Sequence, residues 1–122
     1  MYATDFSDEF KTPFNQAIKF AEETNTHIKL LYINTPSEFK TTKEINAKIK
    51  SFLKDLDDSN FSVHIYNDIS IEKGILNFAA ETNAHLIGMG THGRRGLANF
   101  FNGSVSEDLV NNANMPVMTF KI

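Results

Sequence analysis

The glycines of this chain are concentrated in one segment, and their spacing predicts a cradle for phosphate groups. Five of the six glycines lie in the stretch GMGTHGRRGLANFFNGS of a chain of 122 residues. Within it, Gly90, Gly93 and Gly103 follow the spacing G-x2-G-x9-G, and Ser104 comes directly after the last of them. Glycine lets backbone N–H groups approach a ligand closely, and the N-terminus of a helix favours an anion. A loop of this kind that returns into a helix at Ser104 is therefore suited to bind phosphate.

Two arginines in the same segment add positive charge where the glycines allow close approach. Arg94 and Arg95 follow Gly93 directly, and guanidinium groups form charge-assisted hydrogen bonds with phosphate. On spacing alone, each arginine suits either this role or that of a solvated surface charge. Ser104 has an alternative role as well, because Glu107 completes the capping box of a helix that starts there. Capping and phosphate binding use the same helix end, so the two roles are compatible.

Other glycine motifs and other chemistries fit the sequence less well. The stretch from Gly88 to Gly93 also matches G-x-G-x-x-G, but this dinucleotide-binding motif belongs after a first strand, and here it lies in the fourth strand unit. The acidic residue at the expected distance, Asp108, falls inside a predicted helix. A P-loop is excluded because no Gly-Lys-Ser/Thr is present, and the four histidines are too scattered to predict a metal site. No Ser-His-Asp set or carboxylate pair can be argued from spacing, so no catalytic residue is predicted.

The elements that must hold this segment alternate regularly between strand and helix. Helical spacing of apolar residues predicts four helices, whose first apolar members are Phe10, Ile45, Ile71 and Val105. Short apolar or alternating runs between them predict strands at 27–33, 61–66, 86–89 and 117–122, with MYAT as the opening strand. Such alternation predicts a parallel sheet with right-handed crossovers and helices on both faces.

Local signals refine this prediction and place the glycine segment. Ser7 is expected to cap the first helix, and Thr41 and Glu44 form a capping box for the second. In FSVHIY the apolar residues Phe, Val and Ile alternate with Ser, His and Tyr, which predicts an edge strand with a buried apolar face and a solvated polar one. Ligands of doubly wound sheets bind at the carboxyl ends of the strands, where the strand order reverses. The fourth strand delivers the chain to that edge at Gly90.

Four segments, in order along the whole chain, resemble the universal stress protein family. They are ATDFSDEF, LLYINTP, GTHGRRGL…GSVSE and MPVMTF. The resemblance implies an α/β, flavodoxin-like fold: an open parallel five-stranded sheet with strand order 3-2-1-4-5 and helices on both faces. It also implies that a chain with this glycine spacing binds ATP, or AMP or ADP, with Mg²⁺ possible beside the phosphates.

The resemblance assigns nucleotide contacts to individual residues. They are Ala3, Thr4, Asp5, Ile33, Met89, Gly90, His92, Gly93, Arg94, Gly103, Ser104 and Val105. Asp5 matches an acidic residue on the adenine-ribose side, and Ile33 matches an apolar residue that packs on adenine. Met89 and Gly90 match backbone positions near the ribose, and the positions from 93 to 105 match the phosphate-binding loop and helix start. For Asp5 the alternative is a local role as a helix cap or turn residue.

The composition is that of an ordinary globular domain. The chain has 41% hydrophobic and 22% charged residues, a net charge of −3 and no cysteine. This charge argues against a large nucleic-acid footprint, the lack of cysteine suits a reducing compartment, and no apolar stretch of the sequence approaches the ~18 residues of a membrane span. We therefore expect one cytoplasmic domain over 1–122, with no nucleic-acid or membrane partner.

The two ends of the chain carry expectations about assembly. Only three residues precede Thr4, which is short for a central strand, and we expect the chain to be the second half of a longer tandem protein. The closing strand is expected at the edge of the sheet, where unpaired backbone groups invite a partner. The resemblance implies a homodimer, or pairing with a tandem first domain, through Val117, Met118, Thr119 and Phe120.

These observations favour a nucleotide-dependent sensor or switch in a stress response, which acts through a partner rather than by turnover. Two alternatives stay open. One is a slow ATPase or nucleotide-transferring enzyme, and the other is a domain that binds no nucleotide and serves only in assembly.

Overall fold

A computed structural model of the chain shows a five-stranded parallel sheet with the strand order β3-β2-β1-β4-β5. The strands are β1 (Tyr2–Ala3), β2 (Ile28–Asn34), β3 (Phe61–Asn67), β4 (Ile87–Thr91) and β5 (Val117–Lys121). The structure describes residues 1–56, 60–91 and 103–121, and for residues 91 and 103–107 it describes the backbone alone. The predicted flavodoxin-like sheet is confirmed in its strand order and in the parallel direction of all four strand pairs.

Both faces of the sheet are covered by helices, as predicted. In the described part of the chain these are α1 (Lys11–Glu23), α2 (Thr42–Leu53), α3 (Ile71–Glu81) and α4 (Gly103–Asn112). Phe14 of α1 and Phe52 of α2 belong to one half of the core, while Phe78 of α3 and Leu109 of α4 belong to the other. This division follows from right-handed crossovers, because the chain moves one way from β1 to β3 and the other way from β4 to β5. None of the described helices has the length and apolar character needed to cross a membrane.

The interior strand β2 contributes to both halves of the core because its successive side chains point to opposite faces. Leu30 and Tyr32 lie in the half covered by α1 and α2, and Leu31 and Ile33 lie in the half covered by α3 and α4. All four side chains are buried. This near-continuous apolar run is typical of a parallel strand with both faces covered.

The helix starts agree with the sequence for α2 and differ from it for α1. The Thr41 hydroxyl accepts the Glu44 N–H at 3.2 Å, and the Glu44 carboxylate accepts the Thr41 N–H at 3.1 Å, so the predicted capping box is confirmed. Ser7 caps no helix with its side chain: a 3₁₀ turn, Asp8–Phe10, follows it, and α1 begins only at Lys11. The Ser7 hydroxyl is instead engaged by the carboxylate of Asp5, a local alternative that Ser and Asp side chains often provide.

The edge strand β3 has its polar and apolar faces arranged differently from the prediction. Val63 and Ile65, expected on the buried face, are each 38% exposed. His64 and Tyr66, expected on the solvated face, are half-buried and their rings contact Phe78 of α3, with centroid separations of 5.4 and 5.7 Å. The reason is that α3 crosses over β3, so the polar side chains of this strand receive a cover that the alternation did not predict.

Candidate functional site

The strand order reverses between β1 and β4, and this places a crevice at their carboxyl ends. β1 lies between β2 and β4, and the chain leaves β1 toward β2 but leaves β4 toward β5. Ala3, the last residue of β1, is in register with Met89, so Thr4 and Asp5 leave the sheet at the carboxyl edge where β4 continues to Thr91. This is the position where open α/β sheets bind ligands. The sequence places the first and fourth strands here correctly.

The turn that follows β1 is fixed by hydrogen bonds from its own side chains. The buried Thr4 hydroxyl accepts the N–H of Phe6 at 3.2 Å, and the Asp5 Oδ1 accepts the N–H of Ser7 at 2.9 Å and also bonds its hydroxyl. The alternative role of Asp5, to hold a turn, is therefore present in the structure. Asp5 as a whole is half-buried.

Phe6 holds an unusual backbone conformation in this turn. Its φ is 60°, in the left-handed region that a bulky residue rarely adopts. Its buried ring stacks on Tyr32, with centroids 6.1 Å apart, and meets the edge of Phe52 at 5.2 Å. Such a conformation costs on the order of 1–3 kcal/mol, and it persists where the surrounding structure fixes it. Burial and the nearby Asp5 carboxylate raise the pKa of Tyr32. Burial disfavours the charged phenolate, and the carboxylate repels a second negative charge.

Four of the predicted contact residues are almost completely buried in the structure. They are Ala3, Thr4, Ile33 and Met89, each with at most 1% exposure. The backbone contact that the resemblance implies for Met89 stays a prediction. Ile33 is covered by α3, because a Cβ placed on Gly74 would lie only 2.6 Å from the Ile33 Cγ2.

Gly90 has a packing reason to be glycine. A Cβ at this position would lie 2.8 Å from Cδ1 of Phe10 and 3.0 Å from Cβ and Cγ of Pro13. The end of β4 is thus pressed against the 3₁₀ turn and the first turn of α1. Because Gly90 has no side chain, Phe10 and Pro13 can pack directly against its backbone near the carboxyl end of β4.

The start of α4 differs by one residue from the prediction. The helix begins at Gly103, so Ser104 lies in its first turn and is not the residue before it. The first four N–H groups of a helix have no partner within the helix, and in α4 these include the amides of Gly103, Ser104 and Val105. The predicted phosphate-binding positions at this helix start are therefore among the amides that have no partner within the helix. His92, Gly93 and Arg94, together with Arg95, lie outside the described residues.

A second feature of the same edge was not predicted from the sequence. A groove of about 650 Å³ lies beside the ends of β2 and β3, lined by Asn34, Thr35, Pro36, Phe39, Asn67, Asp68 and Ile69. Phe39 and Ile69 are 68% and 65% exposed, which is unusual for large apolar side chains on both sides of one groove. The sequence signal that could have found this groove is an isolated apolar residue in each connection: Phe39 between β2 and α2, and Ile69 between β3 and α3.

Hydrogen bonds hold the polar walls of the groove. The Asn34 side chain donates to the Lys40 carbonyl and accepts the Lys40 N–H, both at 3.1 Å, which fixes the loop that carries Phe39. Asp68 accepts the side-chain N–H of Asn77 at 2.8 Å and the backbone N–H of Ile69 at 2.7 Å. These two bonds hold the pKa of Asp68 below its usual value, so it is ionised at neutral pH.

The described residues hold no group of three or more His, Cys, Asp or Glu side chains that could bind a metal ion. The expected absence of a metal site stays a prediction for the chain as a whole, because residues 57–59, 92–102 and 122 lie outside the described part of the structure.

Comparison with known proteins identifies the family. A model of the universal stress protein family matches residues 1–121. The chain belongs to the universal stress protein family. It is also 31% identical over 83 residues to universal stress protein MJ0577 of Methanocaldococcus jannaschii, an alignment that covers 67% of this chain and 51% of that protein. The match thus spans about half the length of this curated relative.

Solved structures of similar proteins have the same fold. The structure of the hypothetical protein MJ0577 superposes with a TM-score of 0.68 at 26% identity, covering 99% of this chain and 93% of that one. A universal stress protein from Archaeoglobus fulgidus gives 0.71 at 21% identity, with 98% and 96% covered. A universal stress protein in complex with cAMP gives 0.70 at 18% identity, with 98% and 93% covered. The last two likenesses concern the fold alone.

Proposed function

We propose that this universal stress protein binds an adenine nucleotide, ATP or else AMP or ADP, at the carboxyl edge of its sheet, and acts as a nucleotide-dependent switch through a partner. The phosphates would lie on the glycine segment and on the free amides at the start of α4. The ribose would lie over the ends of β1 and β4, where Asp5 presents its carboxylate. Mg²⁺ would be held mainly by the phosphates, and no step of the proposal depends on it.

The observation that carries this proposal is the position of the glycine spacing in the fold. β4 ends at Thr91 and α4 begins at Gly103, so a segment with two glycines, Gly93 and Gly96, connects the switch point of the sheet to a helix that itself begins with a glycine. Backbone amides and a helix dipole at such a position favour anionic ligands. The same-fold protein solved with cAMP gives support by analogy of fold, because its ligand is an adenine nucleotide.

The base would occupy the groove beside β2 and β3 rather than stack on Ile33. Ile33 is 1% exposed beneath α3, whereas Phe39 and Ile69 present apolar surface to solvent. An adenine ring is a flat apolar surface with polar edges, and ligand sites commonly combine apolar walls with a few polar groups. The groove offers this combination in its two apolar side chains and the neighbouring Asn67.

A nucleotide titration with matched variants tests the phosphate site. Gly103→Val places a β-branched side chain where the backbone must approach phosphate, and we expect it to weaken ATP binding about tenfold or more. Asn111→Val makes a similar change at an exposed position near the other end of α4 and should leave the affinity unchanged. Titrations with and without Mg²⁺ complete the set. Absence of binding at millimolar ATP, or equal affinity of the Gly103→Val and Asn111→Val variants, would contradict the proposal.

The base position is tested separately. Phe39→Ala and Ile69→Ala should each weaken ATP binding while leaving inorganic phosphate or triphosphate binding unchanged, because they remove apolar contact only from the base. Val110→Ala, at an apolar side chain that is 59% exposed on α4, is the matched control. Equal losses for ATP and triphosphate would place the base elsewhere.

The position of β5 at the edge of the sheet supports the proposal that this strand pairs with another protein chain. Ile87 donates to the Pro116 carbonyl at 3.0 Å, so the even-numbered backbone groups of β5 face β4. By alternation, the N–H and C=O of Val117 and Thr119 point away from the sheet. We propose that these outward groups pair with a second copy of the chain, which a two-fold axis would close without a new free edge.

A further inference from the structure

The strand β3 forms the edge of the sheet opposite β5, and the strand itself carries none of the features that usually prevent pairing at an edge. Proteins protect such an edge with charged residues, a proline, a β-bulge or a very short strand. β3 has seven residues, Phe61–Asn67, and its register with β2 runs without interruption along its whole length. Its sequence FSVHIYN contains no proline, lysine, arginine, aspartate or glutamate. This edge is therefore suited to accept another strand.

The backbone groups that point away from the sheet belong to alternate residues of β3. The Asn60 carbonyl accepts an N–H of β2 at 3.0 Å, and the Asp68 N–H donates to a carbonyl of β2 at 3.1 Å. The even-numbered positions therefore turn their N–H and C=O groups toward β2, and by alternation the odd-numbered positions turn theirs outward. In the described part of the chain, the outward groups of Val63 and Ile65 have no hydrogen-bond partner.

An apolar strip lies along the outer margin of β3, on the side of α1 and α2. Phe61 is buried in that half of the core, and alternation places Val63 and Ile65 on the same face. Both of these side chains are nevertheless partly exposed, since β3 has a neighbouring strand on one side only. Side chains directly opposite each other on paired strands have Cβ atoms about 4.5–5.5 Å apart. Apolar residues of an added strand would therefore cover Val63 and Ile65.

The other face of β3 carries three basic side chains beside the same edge: His27, Lys29 and His64, here called the basic cluster. The Ser62 hydroxyl lies 2.8 Å from the His64 Nε2 and 3.3 Å from the His27 Nε2. Lys29 is in register with Ser62, so the two side chains share this face. Burial and the neighbouring Lys29 and His27 lower the pKa of His64, because each disfavours a positive charge there. Within the described residues, no member of the basic cluster forms an ion pair.

We propose that the edge of β3 binds an extended segment of a partner protein in which apolar and acidic residues alternate. Such a segment would bond to the outward N–H and C=O groups of β3. Because successive side chains of a strand point to opposite faces, its apolar residues would cover Val63 and Ile65 while its carboxylates lie beside the basic cluster. The positive charge of that cluster, which has no carboxylate partner among the described residues, is what selects acidic residues.

A second copy of the chain fits this edge less well than an acidic segment does. Two β3 strands related by a two-fold axis would share their faces, so the basic cluster of one copy would lie on the same face as that of the other. FSVHIYN contains no acidic residue to offset this charge, and like charges on facing strands are destabilising. Pairing of copies through both β5 and β3 would also produce an open-ended chain rather than a closed assembly.

A blocked heptapeptide, Thr-Val-Glu-Val-Glu-Val-Thr, tests the pairing of backbones. It should bind saturably at millimolar concentration or below and slow the hydrogen exchange of the Val63 and Ile65 amides. The amides of Ser62 and His64, which already face β2, should change little. Every second N–H of a paired peptide faces β3. N-methylation of the central valine or of an adjacent glutamate should therefore abolish binding in one case and leave it intact in the other.

Side-chain variants test which partner chemistry the edge selects. Replacing both glutamates of the peptide by glutamine should weaken binding about threefold or more, and replacing both by lysine should weaken it further. In the protein, Ile65→Lys places a charge on the apolar strip and should weaken binding of the original peptide about tenfold or more. Val110→Lys, at another exposed apolar side chain, is the matched control and should leave the affinity unchanged.

Four outcomes would overturn the proposal. They are absence of binding at millimolar peptide, equal affinity of the two N-methylated peptides, equal affinity of the glutamate and lysine peptides, and equal affinity of the Ile65→Lys and Val110→Lys variants. Protection of the Val63 and Ile65 amides that rises with protein concentration in the absence of peptide would overturn it as well, because a second copy of the chain would then occupy this edge.

Discussion

Replacing Gly74 by alanine tests how closely α3 packs on the sheet. An added Cβ would lie 2.6 Å from Cγ2 and 2.9 Å from Cδ1 of Ile33. Ile33 is β-branched and 1% exposed, so it has little freedom to move aside. Alanine in a helix interior is favoured over glycine by about 1 kcal/mol, but overpacking of a core costs about 1–3 kcal/mol. We expect Gly74→Ala to lower the free energy of unfolding by about 1 kcal/mol net.

Gly74→Ala should have the opposite effect on stability when the side chain of Ile33 is removed. Ile33→Ala alone should destabilise by ~2–5 kcal/mol, because it removes a buried side chain and leaves a cavity. In that background the methyl group of Gly74→Ala enters the vacated space, so the helix preference for alanine remains and the clash does not. The second substitution should then stabilise by about 1 kcal/mol, which gives a coupling energy of about 2 kcal/mol.

Urea denaturation of the four proteins in this cycle measures the coupling, with equal m-values as the check that the two states are comparable. Lys73→Ala, at the exposed neighbouring position of α3, serves as a control that should not depend on residue 33. If Gly74→Ala stabilises the unmodified chain, or if the two substitutions are additive, α3 does not cover Ile33 as described. Ile33 would then again be available to a bound base.

Three further predictions concern pH, assembly and turnover. The pKa of Asp68 is lowered in the folded state, so its contribution to stability is complete above pH about 4 and is lost as the pH falls through the folded value. Asp68→Asn should therefore reduce stability at pH 7 and make its loss below pH about 4 less steep, as measured by acid titration of the urea midpoint. Thr119→Pro removes an outward N–H without breaking the bonds from β5 to β4, and it should shift a dimer toward monomer in analytical ultracentrifugation, whereas Thr119→Ala should not. Phosphate release from ATP should be far slower than ~1 s⁻¹, because Asp5 is engaged by the turn and no other described residue at the β1–β4 crevice is placed as a general base.

Each of these predictions has an outcome that contradicts it. An acid profile that Asp68→Asn leaves unchanged would mean that Asn77 does not stabilise the ionised carboxylate. A chain that is monomeric at tens of micromolar, or equal behaviour of Thr119→Pro and Thr119→Ala, would exclude pairing through β5. Turnover near 1 s⁻¹ that is lost in Gly103→Val would favour the alternative of an ATPase.

The alternation of elements was predictable because each signal is local. Thr41 and Glu44 lie within one helical turn, and the apolar runs of β2 and β4 reflect the burial of both strand faces. The position of the glycine segment between β4 and α4 was predictable for the same reason, because the apolar run before it and the helical spacing after it are both local. These inferences need no knowledge of which helix covers which strand.

The errors and omissions depend on contacts between distant elements. The polar face of β3 is covered because α3 crosses it, and alternation within FSVHIY carries no information about that helix. Ile33 has the sequence pattern of any apolar residue at a strand end, and only the approach of Gly74 shows that it is covered. The groove beside β2 and β3 is formed by segments that are far apart in the sequence. Between Phe39 and Asn67, which both line it, lie 27 residues. Sequence spacing cannot bring such segments together.

The central claim, an adenine nucleotide at the carboxyl edge, is tested most directly by nuclear magnetic resonance of the backbone amides during ATP titration. We expect saturable chemical-shift changes at the amides of Asp5, Gly90 and residues 103–105. Smaller changes are expected at the amides beside Phe39 and Ile69. Amides at the opposite edge of the sheet, where the strands begin, should not shift; Lys29 near the start of β2 is an example. Shifts confined to that opposite edge, or none at millimolar ATP, would contradict it.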